Sequence, residues 1–339
     1  MTRVGLIRAI LLAVALLAGW VSQSPAEPAK IRIGWAVVPA NIGPLMIAKA
    51  ELAPHNSKSY AADFIHFAGA PQQLAALGAN ELDIASLAYS TFALGIENGG
   101  MSDLRVIADS FQDGVANYDI NQYVVLRDGP IKKVEDLKGK VLATNGIGSS
   151  GDMAMRVMLG KHGLDPKKDV SIVEASFPAM KAMLAEKKAD LITSIPPFSL
   201  DPAMQELGRT LFNQRDSMGP TQLGMLVARQ GFIEKNRAAL TDYLEDLVRA
   251  IRWFSDPAHH DEAVAIVADF TKQPKAQLGA LFTPKGDYYR DPNGLPDLKA
   301  LQTNTDTAYQ LGFLKTQLTV APYAELGPVK EAATRLGLK

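Results

Sequence analysis

PQQLAALGANELDIAS, residues 71–86, and PAMKAMLAEKKADLIT, residues 178–193, follow one plan. In each, a proline opens a helical run. An aspartate twelve residues later, Asp83 or Asp190, precedes a short apolar strand that ends on a hydroxyl residue, Ser86 or Thr193. Proline is preorganised for the first helical turn, and the aspartate marks the turn into the strand. Chance similarity of two helix–strand units would leave the same signature. The other reading, two lobes built on one plan, fits a chain of 339 residues, long enough for two domains with ample core.

Outward from these units, strands and helices alternate. Ile31 to Trp35, Ala62 to Phe67, Asp83 to Ala85 and Leu104 to Asp109 read as strands. Pro44 to Ala50, Gln72 to Ala79 and Thr91 to Ile96 read as the helices between them. The pattern returns with strands at Tyr123 to Arg127, Lys140 to Thr144, Val170 to Glu174 and Leu191 to Ser194, and helices at Asp152 to His162 and Ala179 to Glu186. Such alternation predicts parallel sheets covered by helices. After a strand at Thr221 to Arg229 the chain turns helical. Phe232 to Phe254 carries Leu240, Leu244, Leu247, Val248 and Ile251 at helical spacing, and Asp261 to Phe270 restarts the pattern. Thr283 to Pro296, rich in Gly, Pro and Asp, reads as a surface loop. Thr303 to Leu311 and Pro328 to Leu336 read as closing helices.

Composition excludes several classes of function. The balance of 35 basic against 36 acidic residues, net −1, lacks the basic footprint of a nucleic-acid binder. With no cysteine there is no disulfide, thiolate nucleophile, Cys-ligated metal or lipidated cysteine. Residues 1–26 have the layout of a secretory signal peptide: Arg3 and Arg8, an uncharged run from Ala9 to Val21, then Ser24 and Ala26 before a cut at Glu27. Arg3 and Arg8 are not adjacent, so the expected route is Sec rather than twin-arginine.

The sharpest motif is Gly146-Ile147-Gly148-Ser149-Ser150-Gly151, between a strand and a helix. It matches the dinucleotide pattern G-x-G-x-x-G, with Glu174 at the distance of a ribose-binding acid, which leaves an exported NAD-dependent oxidoreductase open as an alternative. The same loop equally serves a small ligand, through the free N–H groups of a helix start and the Ser149 and Ser150 hydroxyls. Asp152 would compete there, as a cap or as a repelling charge. His259, His260, Asp261 and Glu262 form the one cluster with metal-ligand chemistry, and a solvated helix end accounts for it better, so no metal and no cofactor are expected. Trp35 and Asn41, Ser86, Tyr89 and Ser90, and Pro196, Pro197 and Phe198 all follow strand ends, where open α/β sheets bind ligands.

The chain resembles the substrate-binding proteins of ABC importers, in the group serving sulfonates, taurine, nitrate and thiamin-pyrimidine precursors. The resemblance rests on Ile31–Ala50, Pro71–Gly100, Gln122–Val170 and Lys187–Pro197, with DLKGK and GSS in order, and more loosely on Ala228–Pro257. It implies a two-lobed type II periplasmic binding fold: two mainly parallel sheets flanked by helices, with crossover strands near Asn121–Leu126 and Gln222–Val227. The lobes would be 27–121 plus 228–339, and 122–227. It further implies a periplasmic monomer that is not an enzyme, holds a small organic anion or zwitterion between its lobes and delivers it to an inner-membrane permease. A ligand-sensing module of a receptor would look the same. Carried over by position, the ligand-binding residues are Trp35, Asn41, Gly43, Ser86, Tyr89, Ser90, Ser149, Ser150, Gly151, Asp152, Pro197 and Phe198. Asp152 stands where many relatives carry an uncharged residue, which favours a zwitterion or an uncharged heterocycle.

Overall fold

The computed structural model describes residues 27–339; the signal peptide read at 1–26 lies outside the described residues. Ten strands form two five-stranded sheets. The first runs in the order β2 (Tyr60–His66), β1 (Ala29–Trp35), β3 (Ile84–Leu87), β10 (Thr221–Arg229), β4 (Leu104–Asp113). The second runs β7 (Ser171–Glu174), β6 (Val141–Thr144), β8 (Leu191–Ser194), β5 (Gln122–Leu126), β9 (Gly208–Asn213). Both are mixed in the same way. The first three strands of each order pair in parallel, and a returning strand, β10 or β5, pairs antiparallel on both its edges. The molecule is therefore two-lobed α/β, with one topology used twice.

The repeated segments occupy equivalent places. Helix α2 (Ala70–Gly78) leads into β3, and α5 (Phe177–Ala185) leads into β8, each with its proline in the first turn. The two aspartates make the same reciprocal link to the neighbouring strand. Asp83 accepts the Arg32 amide at 2.8 Å while its own amide reaches the Arg32 carbonyl at 2.9 Å. Asp190 accepts the Val141 amide at 3.0 Å while its amide reaches the Val141 carbonyl at 2.7 Å. Each thereby pins a parallel pair, β1 with β3 and β6 with β8, at its amino end, where a backbone N–H would otherwise lack a partner.

The remaining helices are α1 (Gly43–Met46), α3 (Tyr89–Glu97), α4 (Ser150–Lys161), α6 (Pro202–Leu207), α7 (Gln214–Met218), α8 (Gln230–Lys235), α9 (Arg237–Phe254), α10 (His260–Thr271), α11 (Leu298–Gln310) and α12 (Gly327–Arg335). The single helix expected over Phe232–Phe254 is broken at Asn236, whose side-chain amide donates to the Phe232 carbonyl at 3.1 Å and starts α9 afresh. The stripe on α9 is buried as expected, with Leu240, Leu244 and Val248 fully inaccessible against β1, β2 and α12.

Two expectations change. β5 lies wholly in the second sheet and β10 wholly in the first, so the chain crosses between sheets in the segments 114–121 and 214–220 rather than within those strands. The stretch Thr283–Pro296 is not a surface loop. Asp287, Tyr288 and Arg290 are buried, and Tyr289 exchanges backbone bonds with Gln112 at 2.8 and 3.1 Å. Its turn-forming composition was correct, but an Asp287–Arg290 ion pair at 2.9 Å lets the loop fold inward.

Candidate functional site

A cavity lies between the two sheets. Its walls come from the carboxyl ends of all six parallel strands. Ala36 and Val37 follow β1, Gly69 follows β2, and Ser86 and Leu87 end β3. Asn145 follows β6, Phe177 follows β7, and Thr193 lies on β8. This is where the geometry of α/β sheets puts ligands. The amino ends of four helices, α2 at Ala70, α3 at Ala88, α4 at Ser150 and α5 at Phe177, converge on the same space. Among the described residues no Lys, Arg, His, Asp or Glu lines it. Its polarity comes from amides and hydroxyls, its bulk from Phe111, Phe177 and Tyr288.

Five of the twelve expected residues meet here: Asn41, Ser86, Ser149, Ser150 and Gly151. Asn41 is a brace. Its Oδ1 accepts the Ala36 and Val37 amides at 3.0 and 3.2 Å, and its Nδ2 donates to Ser86 Oγ at 2.8 Å. Ser149 is the N-cap of α4; its Oγ accepts the Asp152 amide at 3.2 Å and contacts Thr144 Oγ1 at 3.2 Å. Ser150 and Gly151, in the first turn, keep the amides that such a helix start leaves unbonded.

The other seven lie outside this wall. Trp35 and Gly43 line a neighbouring cavity that shares only Asn41 with the main one, and Trp35 packs against His66 and Phe270. Tyr89 is fully buried, and burial holds its hydroxyl well above the usual tyrosine range. Ser90 binds lobe to lobe, its Oγ donating to the Gly148 carbonyl at 2.9 Å. Asp152 touches no ligand space; its carboxylate takes the Gly148 amide at 2.8 Å and Arg156 Nε at 2.7 Å. Its charge is thus paired with Arg156 within the helix. Pro197 and Phe198 line a third cavity, whose Phe177 and Thr193 also belong to the first.

The glycine pattern of residues 146–151 has a use other than a pyrophosphate. Gly148 has φ +81°, a left-handed value open mainly to glycine. A Cβ at Gly146 would lie 3.4 Å from Pro71 Cγ, and one at Gly148 would lie 3.2 Å from Leu94 Cδ1, both in the other lobe. Glu174 accepts the Ile147 amide at 2.6 Å, so the acid that would hold a ribose closes this loop instead.

Several wall residues were not anticipated. Asn121 on the first crossing and Thr193 on β8 are 3% and 2% exposed. Each leaves a side-chain oxygen, Oδ1 and Oγ1, with no partner among the described residues. Thr193 was visible as the hydroxyl that ends the second repeat, opposite Ser86 in the first. Tyr288 reaches the wall because Arg290, paired with Asp287, also donates to the Pro39 carbonyl at 2.6 Å and locks the two loops together.

Comparison with known proteins agrees with this arrangement. Residues 24–268 match the model of the NMT1-like family, more than two thirds of the chain. The chain belongs to the NMT1-like family. Beyond the family match, 159 residues are 27% identical to the nitrate/nitrite binding protein NrtA of Synechococcus elongatus, 45% of this chain and 36% of that protein. This NMT1-like chain thus matches about a third of the length of that curated relative. In fold it is similar to the alkanesulfonate-binding protein SsuA from Xanthomonas axonopodis pv. citri bound to MOPS. The TM-score is 0.72 at 19% identity, covering 89% of this chain and 100% of that one. It is also similar to the desulfurization enzyme DSZB, with TM-score 0.64 at 13% identity over 91% of this chain and 100% of that one. The fold alone therefore does not separate binding from catalysis.

Proposed function

We propose that this is the extracytoplasmic solute-binding protein of an ABC importer, holding a small organic anion or zwitterion between its lobes and passing it to a membrane permease. The observation that carries the reading is the interlobe cavity, walled by six strand ends and four helix amino ends with no charged side chain. Helix amino ends carry partial positive charge and free N–H donors, so they favour the acidic end of a ligand without a counter-ion that would hold it irreversibly. Closing two lobes on the ligand buries it and changes the outer surface, the change a transporter can read. SsuA and NrtA, named for binding alkanesulfonate and nitrate or nitrite, support the class.

We draw the lobes as in the sequence reading, 27–121 plus 228–339 and 122–227, but count β10 with the first because it pairs with β3 and β4. We place it outside the cytoplasm on the signal peptide read at residues 1–26; no described helix is long and apolar enough to cross a membrane. The likeness to DSZB favours a second reading, an enzyme acting on a sulfur compound. The absence of cysteine, and of any Lys, Arg, His, Asp or Glu among the described residues of the cavity wall, weighs against it.

A thermal-shift screen of alkanesulfonates, taurine, nitrate, carboxylates, amino acids, pyrimidines and NAD(H) tests the proposal. A compound that binds only the folded chain raises its melting point by mass action. One of the small anions or zwitterions is expected to do so and to be recovered unchanged. A shift by NAD(H) alone, or conversion of the compound, would replace the reading.

A further inference from the structure

The two crossing segments meet at the end of β4, and one carboxyl group closes the junction. Asp113 is fully buried and accepts the amides of Ile120 at 2.9 Å and Asn121 at 3.2 Å. Across the sheet it pairs with Thr221, the first residue of β10. At the next residue, Gly114, a Cβ would stand 3.1 Å from the Gly219 carbonyl oxygen and 3.2 Å from Arg215 Cβ, so the outgoing and returning crossings touch. Asn121 reaches the cavity wall, and its Nδ2 donates to Gln214 Oε1 on the returning side at 2.9 Å. The Asp113 carboxylate therefore holds the first crossing and a wall residue, while the backbone of the same residue pairs with the start of β10.

Among the described residues its partners are backbone amides, not a cation. Facing it are Asp119 on the same crossing, Tyr123 on β5 and Tyr288 on the inward loop. Beyond Tyr288 the Asp287–Arg290 pair is closed on itself, and Arg215 and Asp216 of α7 face Asp119. Asp109, earlier on β4, is held by Gln222 Nε2 at 2.7 Å and the Asp291 amide at 2.9 Å.

We propose that Asp113 is a positioning residue for the cavity wall and couples opening of the crossing segments to release of a proton. The proposal rests on the reading above, that ligand sits between the lobes, and adds that the lobes turn about these crossings. Burial away from water, with Asp119 nearby, outweighs the amides that favour the anion and pushes Asp113 up to about 6. Any opening that lets water onto it restores ordinary carboxylate behaviour and frees the proton. Linkage then fixes the sign: the closed crossing binds the proton more tightly, so acid favours closure and a rise towards neutrality weakens it.

Hydrogen exchange on the chain without added ligand tests this apart from binding. Peptides covering residues 114–122, after correction for intrinsic exchange, are expected to be about ten-fold more protected at pH 5 than at pH 7. In Asp113→Asn the pH dependence should vanish. In Asp119→Asn, which removes the neighbouring negative charge, the wild-type transition should move to lower pH, and this variant serves if the first does not fold. Asp109→Asn should leave the response at 114–122 in place. Equal protection of the wild type at the two pH values, or an undiminished difference in Asp113→Asn, would overturn the proposal. A negative ligand screen would leave this result standing and refute only the binding reading.

Discussion

At the scale of single residues, the cavity separates side chains that build it from side chains that face into it. Ser149 and Ser150 are neighbours with different work. Ser149 spends its hydroxyl on the α4 N-cap, so Ser149→Ala should cost about 1 kcal/mol and lower the melting point before any ligand is added. Ser150 caps nothing, so Ser150→Ala should leave the melting point in place and weaken only the ligand found in the screen. Thr193→Val is sharper still. It removes a buried hydroxyl without a protein partner and keeps the shape, so the unliganded chain should be as stable or more so while affinity falls. Calorimetric titration beside thermal melts reads both. A lower melting point for Thr193→Val with unchanged affinity would mean the hydroxyl serves the fold. Ser149, Ser150 and Gly151 were legible as wall residues because a Gly-Ser run between a strand and a helix sits at a strand's carboxyl end, where such cavities form. Asn121 was not, because nothing local distinguishes an asparagine in a crossing from its neighbours, and Thr193 showed only as the hydroxyl that closes the second repeat. Their place is set by how two lobes meet.

At the scale of elements, the repeat was the strongest signal in the chain, and its physical content is the pair Asp83 and Asp190. Each holds a backbone amide of the adjacent parallel strand, Arg32 or Val141, so Asp83→Ala and Asp190→Ala should each cost about 1–3 kcal/mol, the cost of a stranded donor. The first should cost somewhat more, since Asp83 also carries the Arg32 guanidinium at 2.8 Å. Urea midpoints measure this; a neutral Asp190→Ala would reduce the equivalence to appearance. Gly148→Ala forces a side chain into a left-handed turn pressed on Leu94 and should cost about 1–3 kcal/mol. Gly146→Ala, with Pro71 at ordinary contact distance, should be milder. The elements that escaped the sequence reading are β9, α6 and α7. β9, GRTLFN, lies on the edge of its sheet and mixes polar and apolar residues without alternation. α6 and α7 have only 6 and 5 residues, too short for a helical stripe.

At the scale of the whole molecule, the seam between β4 and β10 holds two buried carboxyls, and their titration should appear in the stability of the entire fold. Burial pushes Asp109 up to about 7 and Asp113 up to about 6, against unfolded values near 3.8. Because both folded values lie above the unfolded ones, the stability they supply is complete below about pH 4 and is lost as pH rises through 6 and 7. Carboxylates such as Glu97, Asp136 and Asp165, held below their usual range, act in the opposite sense, but only near and below pH 4. Between pH 5 and 8 the buried pair therefore dominates among these groups, and the chain should melt at a higher temperature at pH 5 than at pH 8. Asp109→Asn should flatten that slope by removing the higher of the two titrations, although it also breaks one bond, to Gln222 or to the Asp291 amide, and so lowers stability at every pH. Melting curves of wild type and variant at half-unit steps decide the matter. A wild type more stable at pH 8 than at pH 5 would mean that cations or water reach this seam, and that the two lobes are joined by a wetter hinge than the packing of Asp109 and Asp113 implies.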